Sequence, residues 1–299
     1  MRKMLLAPFF IAFILFLAAC GSDSANGEDG SGDDGDKGIL EELQEKGTVQ
    51  IGFANEEPYG YQNAEGELTG ASVETAKAVF KELGIENVEG QLTDYDQLVS
   101  GLAAKKFDAI TSGMAITPDR CENVAFAEPD MKYGEGLIVQ KGNPMNLESY
   151  TDIADNPDVT VSVMSGATEI EFLKSEGVDE GQIQTAPDIP ATFSAVESGR
   201  ADATTGTEMT VKMALESADT DALEFVEDFE QPDILGVPSY GAVAFHPEHQ
   251  DLLDAFNETL QKLKDDGTIA EILEENGFHP ENNFPDEDVS TEMVCNGEV

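Results

Sequence analysis

The chain has 299 residues, 61 of them Asp or Glu and 16 Lys or Arg, which gives a formal net charge of −45. That balance argues against a nucleic-acid partner, which needs clustered Lys and Arg, and against retention on anionic lipid by basic residues. With 40% apolar residues the chain can build a core of one large or two smaller domains. The acid then reads as a solvated surface suited to concentrated salt, where self-repulsion is screened.

The N-terminus is a targeting segment. Arg2 and Lys3 precede the apolar run LLAPFFIAFILFL at 5–17, which is short for a membrane span and is interrupted by Pro8. Leu17-Ala18-Ala19-Cys20-Gly21 resembles a bacterial lipobox. The resemblance implies removal of a lipoprotein signal peptide, 1–19, and lipidation of Cys20. The body is then extracytoplasmic, anchored to the outer face of the cell membrane. No Arg-Arg pair is present, so export is of the Sec type. Residues 20–38 are Gly, Ser and Asp with almost nothing apolar, a flexible acidic tether. Cys121 and Cys295 remain, an even pair in an exported protein. They read as a disulfide that ties the C-terminal tail to the body, with two buried thiols as the alternative. His246, His249 and His279 are scattered without metal-ligand spacing, so neither metal nor cofactor is expected.

Along the body, residues 48–54 (TVQIGFA) have strand character. Residues 71–83 carry Val73, Ala76, Phe80 and Leu83 at helical spacing before Gly84. A strand follows at 88–92, a helix at 95–104 with Leu98 and Leu102 on one face, and a strand at 107–112. After Tyr150 the grammar restarts. Strands are predicted at 159–164, 182–185 and 201–204, and helices at 168–175, 189–198 and 208–217. A strand at 240–246 and helices at 248–264 and 268–275 complete the chain. Helices alternating with short strands indicate an α/β architecture. Extended segments at 133–139 and 237–245 flank the second block. The chain therefore leaves one lobe, 39–139 plus 238–299, builds a second, 140–237, and returns through a two-strand hinge.

KFDAITSGMAITPDR at 106–120, FAEP at 126–129, GLIV at 136–139 and GRADA at 199–203 resemble the extracytoplasmic solute-binding proteins of ABC importers, in the family that takes polar amino acids. IGFANEEPYGY at 51–61, PDRC at 118–121, YGEG at 133–136 and SGATE at 165–169 are similar to the subgroup that binds ectoine and 5-hydroxyectoine. The resemblance implies the type II periplasmic-binding-protein fold, two lobes that close over a small zwitterion like a Venus flytrap, and delivery to membrane permease subunits.

Ectoine is a small ring with one carboxylate and a delocalised amidinium cation. Carried over residue by residue, the resemblance makes Arg120 the bidentate carboxylate partner. It places Thr168 beside it at a helix N-terminus and gives the ring N–H groups and positive charge to Glu56 and Glu169. Tyr59 and Tyr95 become aromatic walls, and Gly113 and Thr207 complete the set. Two departures stand out. Ala115 replaces an aromatic of the subgroup, leaving one wall open. Thr207 stands where amino-acid binders carry an Asp for the ligand's α-ammonium, which disfavours free amino acids. The chain also lacks Trp, unlike the Trp cages of glycine betaine binders. The alternatives are a polar amino acid such as glutamine or arginine and, further off, a cyclohexadienyl dehydratase-like enzyme. No nucleophile–base pair is visible for the latter, so no enzyme is expected.

Overall fold

The computed structural model describes residues 37–299. The expected signal peptide, the expected lipidation site Cys20 and nearly all of the expected tether lie outside the described residues. The last two tether positions belong to the folded body instead. The Gly38 carbonyl accepts from the Glu42 N–H at 3.2 Å as the helix Ile39–Lys46 begins, and Lys37 pairs with Glu45.

Two five-stranded sheets form the centres of two lobes. The first runs Asn87–Leu92, Thr48–Phe53, Ala109–Ile110, Ala244–Phe245, Ala125–Phe126. The second runs Ile183–Ala186, Val161–Met164, Ala203–Thr207, Glu135–Gln140, Leu223–Phe225. In each sheet the first three strands are parallel, and the fourth is antiparallel to both neighbours. That fourth strand is the one the chain supplies after crossing from the other lobe. Helices cover the sheets, so the central strands are apolar on both faces. In the first lobe the helix Ala71–Glu82 buries Val73, Ala76, Val79 and Phe80. Phe80, Phe245 and Phe256 meet edge to face. In the second lobe Val161, Val163, Leu137 and Val139 pack with Tyr150 and Phe172.

The hinge is a separate antiparallel ribbon in which Met131–Tyr133 pairs with Ser239–Gly241. It sits upstream of the expected 133–139 segment, and this corrects the lobe boundary placed after residue 139. Glu135–Gln140 is a full member of the second sheet, because Leu137 and Val139 enter one second-lobe core while Ile138 enters the other. The strand expected at 240–246 breaks accordingly into Ser239–Gly241 and Ala244–Phe245. The helix expected at 95–104 opens as a 3-10 turn, Tyr95–Gln97, before Leu98–Ala103.

Residues beyond the last long helix form a strap. Cys121 and Cys295, 174 residues apart, are joined by a disulfide. Asp286 accepts from Lys132 Nζ at 2.6 Å and from the Tyr240 hydroxyl at 2.7 Å. One carboxylate thus holds both strands of the hinge. No helix among the described residues is long and apolar enough to cross a membrane.

Candidate functional site

In parallel α/β sheets, ligands gather at the carboxyl ends of the strands. Here the strand ends of both lobes face one another. Glu56 follows the strand Thr48–Phe53, Tyr95 follows Asn87–Leu92, and Ser112 and Gly113 follow Ala109–Ile110. Across from them, Ala167, Thr168 and Glu169 follow Val161–Met164, and Thr207 ends Ala203–Thr207. Glu56, Tyr59, Tyr95, Ser112, Gly113, Ala115, Tyr133, Met164, Ala167, Thr168, Glu169 and Thr207 enclose one chamber. Its walls leave about 20 Å³, room for one water and too little for a ring-sized molecule.

Among the described residues, three hydrogen bonds join the lobes across the cleft. Thr210 Oγ1 donates to Glu56 Oε1 at 2.8 Å, Arg120 Nη2 to the Gly166 carbonyl at 3.0 Å, and Ser165 Oγ to Asp96 Oδ2 at 3.1 Å. Thr207 Oγ1 donates to Thr210 Oγ1 at 2.9 Å, so two hydroxyls in series present a proton to Glu56. Glu56 is 8% exposed and Glu169 3%. Burial pushes the Glu56 carboxyl up to about 7, against the pull of the Thr210 hydroxyl and Arg120. Burial raises Glu169 as well, while its own backbone N–H, Arg120 and the Thr168 hydroxyl hold it down.

The structure brings seven of the eight predicted site residues onto the chamber wall. Arg120 stands just outside. The single-turn helix Pro118–Cys121, started by Pro118 and capped by the Thr117 hydroxyl, carries it to the lobe edge. Its guanidinium donates to the Ala115 carbonyl at 2.8 Å as well as to Gly166, and lies 5.6 Å from the centre of the Tyr95 ring. Thr168 makes no side-chain cap for the helix Glu169–Ser175; its hydroxyl acts on the Glu169 carboxyl instead. Gly113 has φ +58°, and a Cβ there would run into the Tyr59 ring, a position glycine alone fills without strain.

Two groups escaped sequence reasoning. Tyr133 lines the chamber beside Ala115, with its ring 5.3 Å from Tyr59 and its hydroxyl donating to the Gly113 carbonyl at 2.6 Å. It supplies a third ring next to the position that lost one. Glu135, two residues on, is fully buried. The YGEG segment containing both was visible, but nothing in the sequence showed that the hinge turns them inward. Among the described residues no group of three His, Cys, Asp or Glu is arranged to hold a metal ion.

Residues 49–278 match the bacterial extracellular solute-binding proteins, family 3. The chain is 36% identical over 260 residues to a probable amino-acid ABC transporter periplasmic-binding protein of Sinorhizobium fredii, covering 86% of this chain and 85% of that one. Among solved structures it resembles EhuB in complex with hydroxyectoine, at 32% identity and a TM-score of 0.79, over 86% of this chain and 97% of that one. It also resembles an ancestral amino acid-binding protein, a precursor of cyclohexadienyl dehydratase, at 30% identity and a TM-score of 0.68, over 79% and 98%.

Proposed function

The chain belongs to the bacterial extracellular solute-binding proteins of family 3, and on that premise we propose that it captures ectoine or 5-hydroxyectoine between its lobes for the permease of an ABC importer. The observation that carries this reading is the make-up of the chamber. Glu56 from one lobe opposes Glu169 from the other, Tyr59, Tyr95 and Tyr133 wall the space, and Arg120 borders it. A flat cation between carboxylates and ring faces is well placed there. A ligand carboxylate is a stronger acceptor than a backbone carbonyl, so Arg120 exchanges its lobe-bridging bond for a bidentate one. The likeness to a hydroxyectoine complex supports the reading. So does Thr207, whose hydroxyl feeds Thr210 and Glu56 where an amino-acid binder would place an acid.

Calorimetry tests this. Arg120→Ala is expected to weaken ectoine binding ~10- to 100-fold, the worth of hydrogen bonds to a charged group. Near wild-type affinity would remove Arg120 from the site. A melting-temperature panel of ectoine, hydroxyectoine, glutamine and arginine identifies the ligand, because only a molecule that binds the folded state raises the transition. Stabilisation by arginine or glutamine alone would overturn the reading in favour of an amino acid.

We also propose that Cys20 carries a lipid and residues 21–36 tether the body at the membrane. The motivation is the Leu-Ala-Ala-Cys sequence ahead of a Gly/Ser/Asp tract. Cys20→Ala is expected to move the protein from the membrane fraction to the soluble one; an unchanged distribution would refute the anchor.

A further inference from the structure

The Glu135 carboxyl is a buried titratable group for which ligand capture as described has no use. Gln231 grips its backbone from both sides. The Glu135 N–H donates to Gln231 Oε1, and Gln231 Nε2 donates to the Glu135 carbonyl, each at 2.8 Å. In strand register Glu135 lies opposite Thr207, which lines the chamber, and the Glu135 and Glu169 carboxyls act on one another.

Neither Glu135 oxygen is met by a donor among the described residues. Tyr150 is adjacent, and its hydroxyl lies 2.6 Å from Thr205 Oγ1, which donates to the Gly136 carbonyl at 2.8 Å. The Tyr150 hydroxyl pulls Glu135 down, by less than burial and Glu169 raise it. The other groups acting on Glu135 are Glu169 and Glu56, and Glu135 in turn acts on Tyr59. Arg120 faces Glu169 but is bonded to two carbonyls. On the neighbouring helix Lys212 is paired with Glu208. Two carboxylates cannot both stay charged in such surroundings. Burial and the facing Glu169 raise Glu135 well above the carboxylate range.

We propose that Glu135 is a positioning residue: it shares one proton with Glu169, orients that carboxyl toward the chamber, and makes capture of a cationic ligand compete with the proton. Glu135, protonated, donates to the Glu169 carboxylate. When a cation settles against Glu169, the pair holds its proton more weakly and gives it up to solvent as pH rises. Affinity for the cation therefore increases with pH, by at most about tenfold per unit for one proton released. Only this last step rests on the ligand reading above.

Two measurements test it. In ligand-free protein labelled with ¹³C at glutamate carboxyls, a resonance titrating above the ordinary carboxylate range is expected. It should vanish in Glu135→Gln while the Glu56 titration persists. If wild type and Glu135→Gln titrate alike, the shared proton is refuted, whatever the ligand. Calorimetry with ectoine between about pH 6 and pH 9 is expected to show affinity rising with pH in wild type and less steeply in Glu135→Gln. The amide keeps a donor to Glu169, so Glu135→Gln should bind like wild type at the acidic end, whereas Glu135→Leu should bind more weakly there. Equal slopes in wild type and Glu135→Gln would overturn the competition. If ectoine does not bind at all, the ligand reading fails while the carboxyl titration still decides the proton.

Discussion

Asp130 shows at the scale of one residue how this protein handles its excess of acid. It is buried at the end of the hinge ribbon, with no hydrogen-bond donor to either oxygen among the described residues. Lys264, partly buried, donates instead to the Pro129 carbonyl at 2.5 Å. Burial pushes Asp130 up to about 7, against the attraction of Lys264. A carboxyl whose pKa is higher folded than unfolded stabilises the fold at low pH. That contribution is lost as pH rises from about 4 through about 7. Glu56, also raised to about 7, acts in the same sense. The ligand-free protein is therefore expected to lose stability between about pH 4 and about pH 7, on the order of a few kcal/mol. Asp130→Asn should flatten that slope in thermal melts, and an unchanged slope would place the titrating group elsewhere. The same scale explains the wall expected to be open at Ala115. A side chain missing at one position is offset by Tyr133, contributed from the hinge.

At the scale of the element, the turn after the strand Ala109–Ile110 decides the shape of the chamber. The sequence reads as a strand through residue 112, yet pairing stops at Ile110. Thr111, Ser112 and Gly113 then peel away, because only at Gly113, with φ +58°, can the backbone pass against the Tyr59 ring. Gly113→Ala is expected to cost ~1–3 kcal/mol of stability and to weaken ligand binding by displacing Tyr59, read by denaturant unfolding and by calorimetry. A variant as stable as wild type would show that the turn relaxes without strain. A few residues on, the one-turn helix that carries Arg120 is too short to be stable by itself. Thr117 caps one end, and the disulfide from Cys121 ties the other to the helix Thr291–Cys295. The tail thus holds the guanidinium in place from the far end of the chain.

Over the whole molecule, the charge of −45 is a self-repulsion that the fold tolerates best in salt. Several of the pairs formed by the few lysines are short-range and exposed, such as Lys174 with Glu171 and Lys262 with Glu258. Such contacts are worth little. Screening of the like charges should outweigh their loss. The melting temperature is expected to rise by several degrees between about 0.05 M and about 2 M KCl. A fall over that range would mean that ion pairs, and not repulsion, dominate. The acid inside the chamber plays a different part from the acid outside. Outside it hydrates the surface; at the cleft, Glu56, Glu135 and Glu169 are buried and raised.

The sequence by itself determined the alternation of strands and helices, the two lobes with a return crossing, and seven of the residues that enclose the chamber. These depend on local spacing and short motifs, which neighbouring residues carry between them. It could not place the hinge within a few residues, because 131–139 is extended throughout and only pairing distinguishes a ribbon from a sheet strand. It could not show that Arg120 would border the chamber and spend its donors on two carbonyls, one from each side of the cleft. Nor could it single out Tyr133 or Glu135. Among 61 acids one Glu looks like another until the fold removes it from water and sets it against a second carboxyl. Burial and apposition arise from residues distant in the chain, and they decide which of many similar side chains acquires a chemical role.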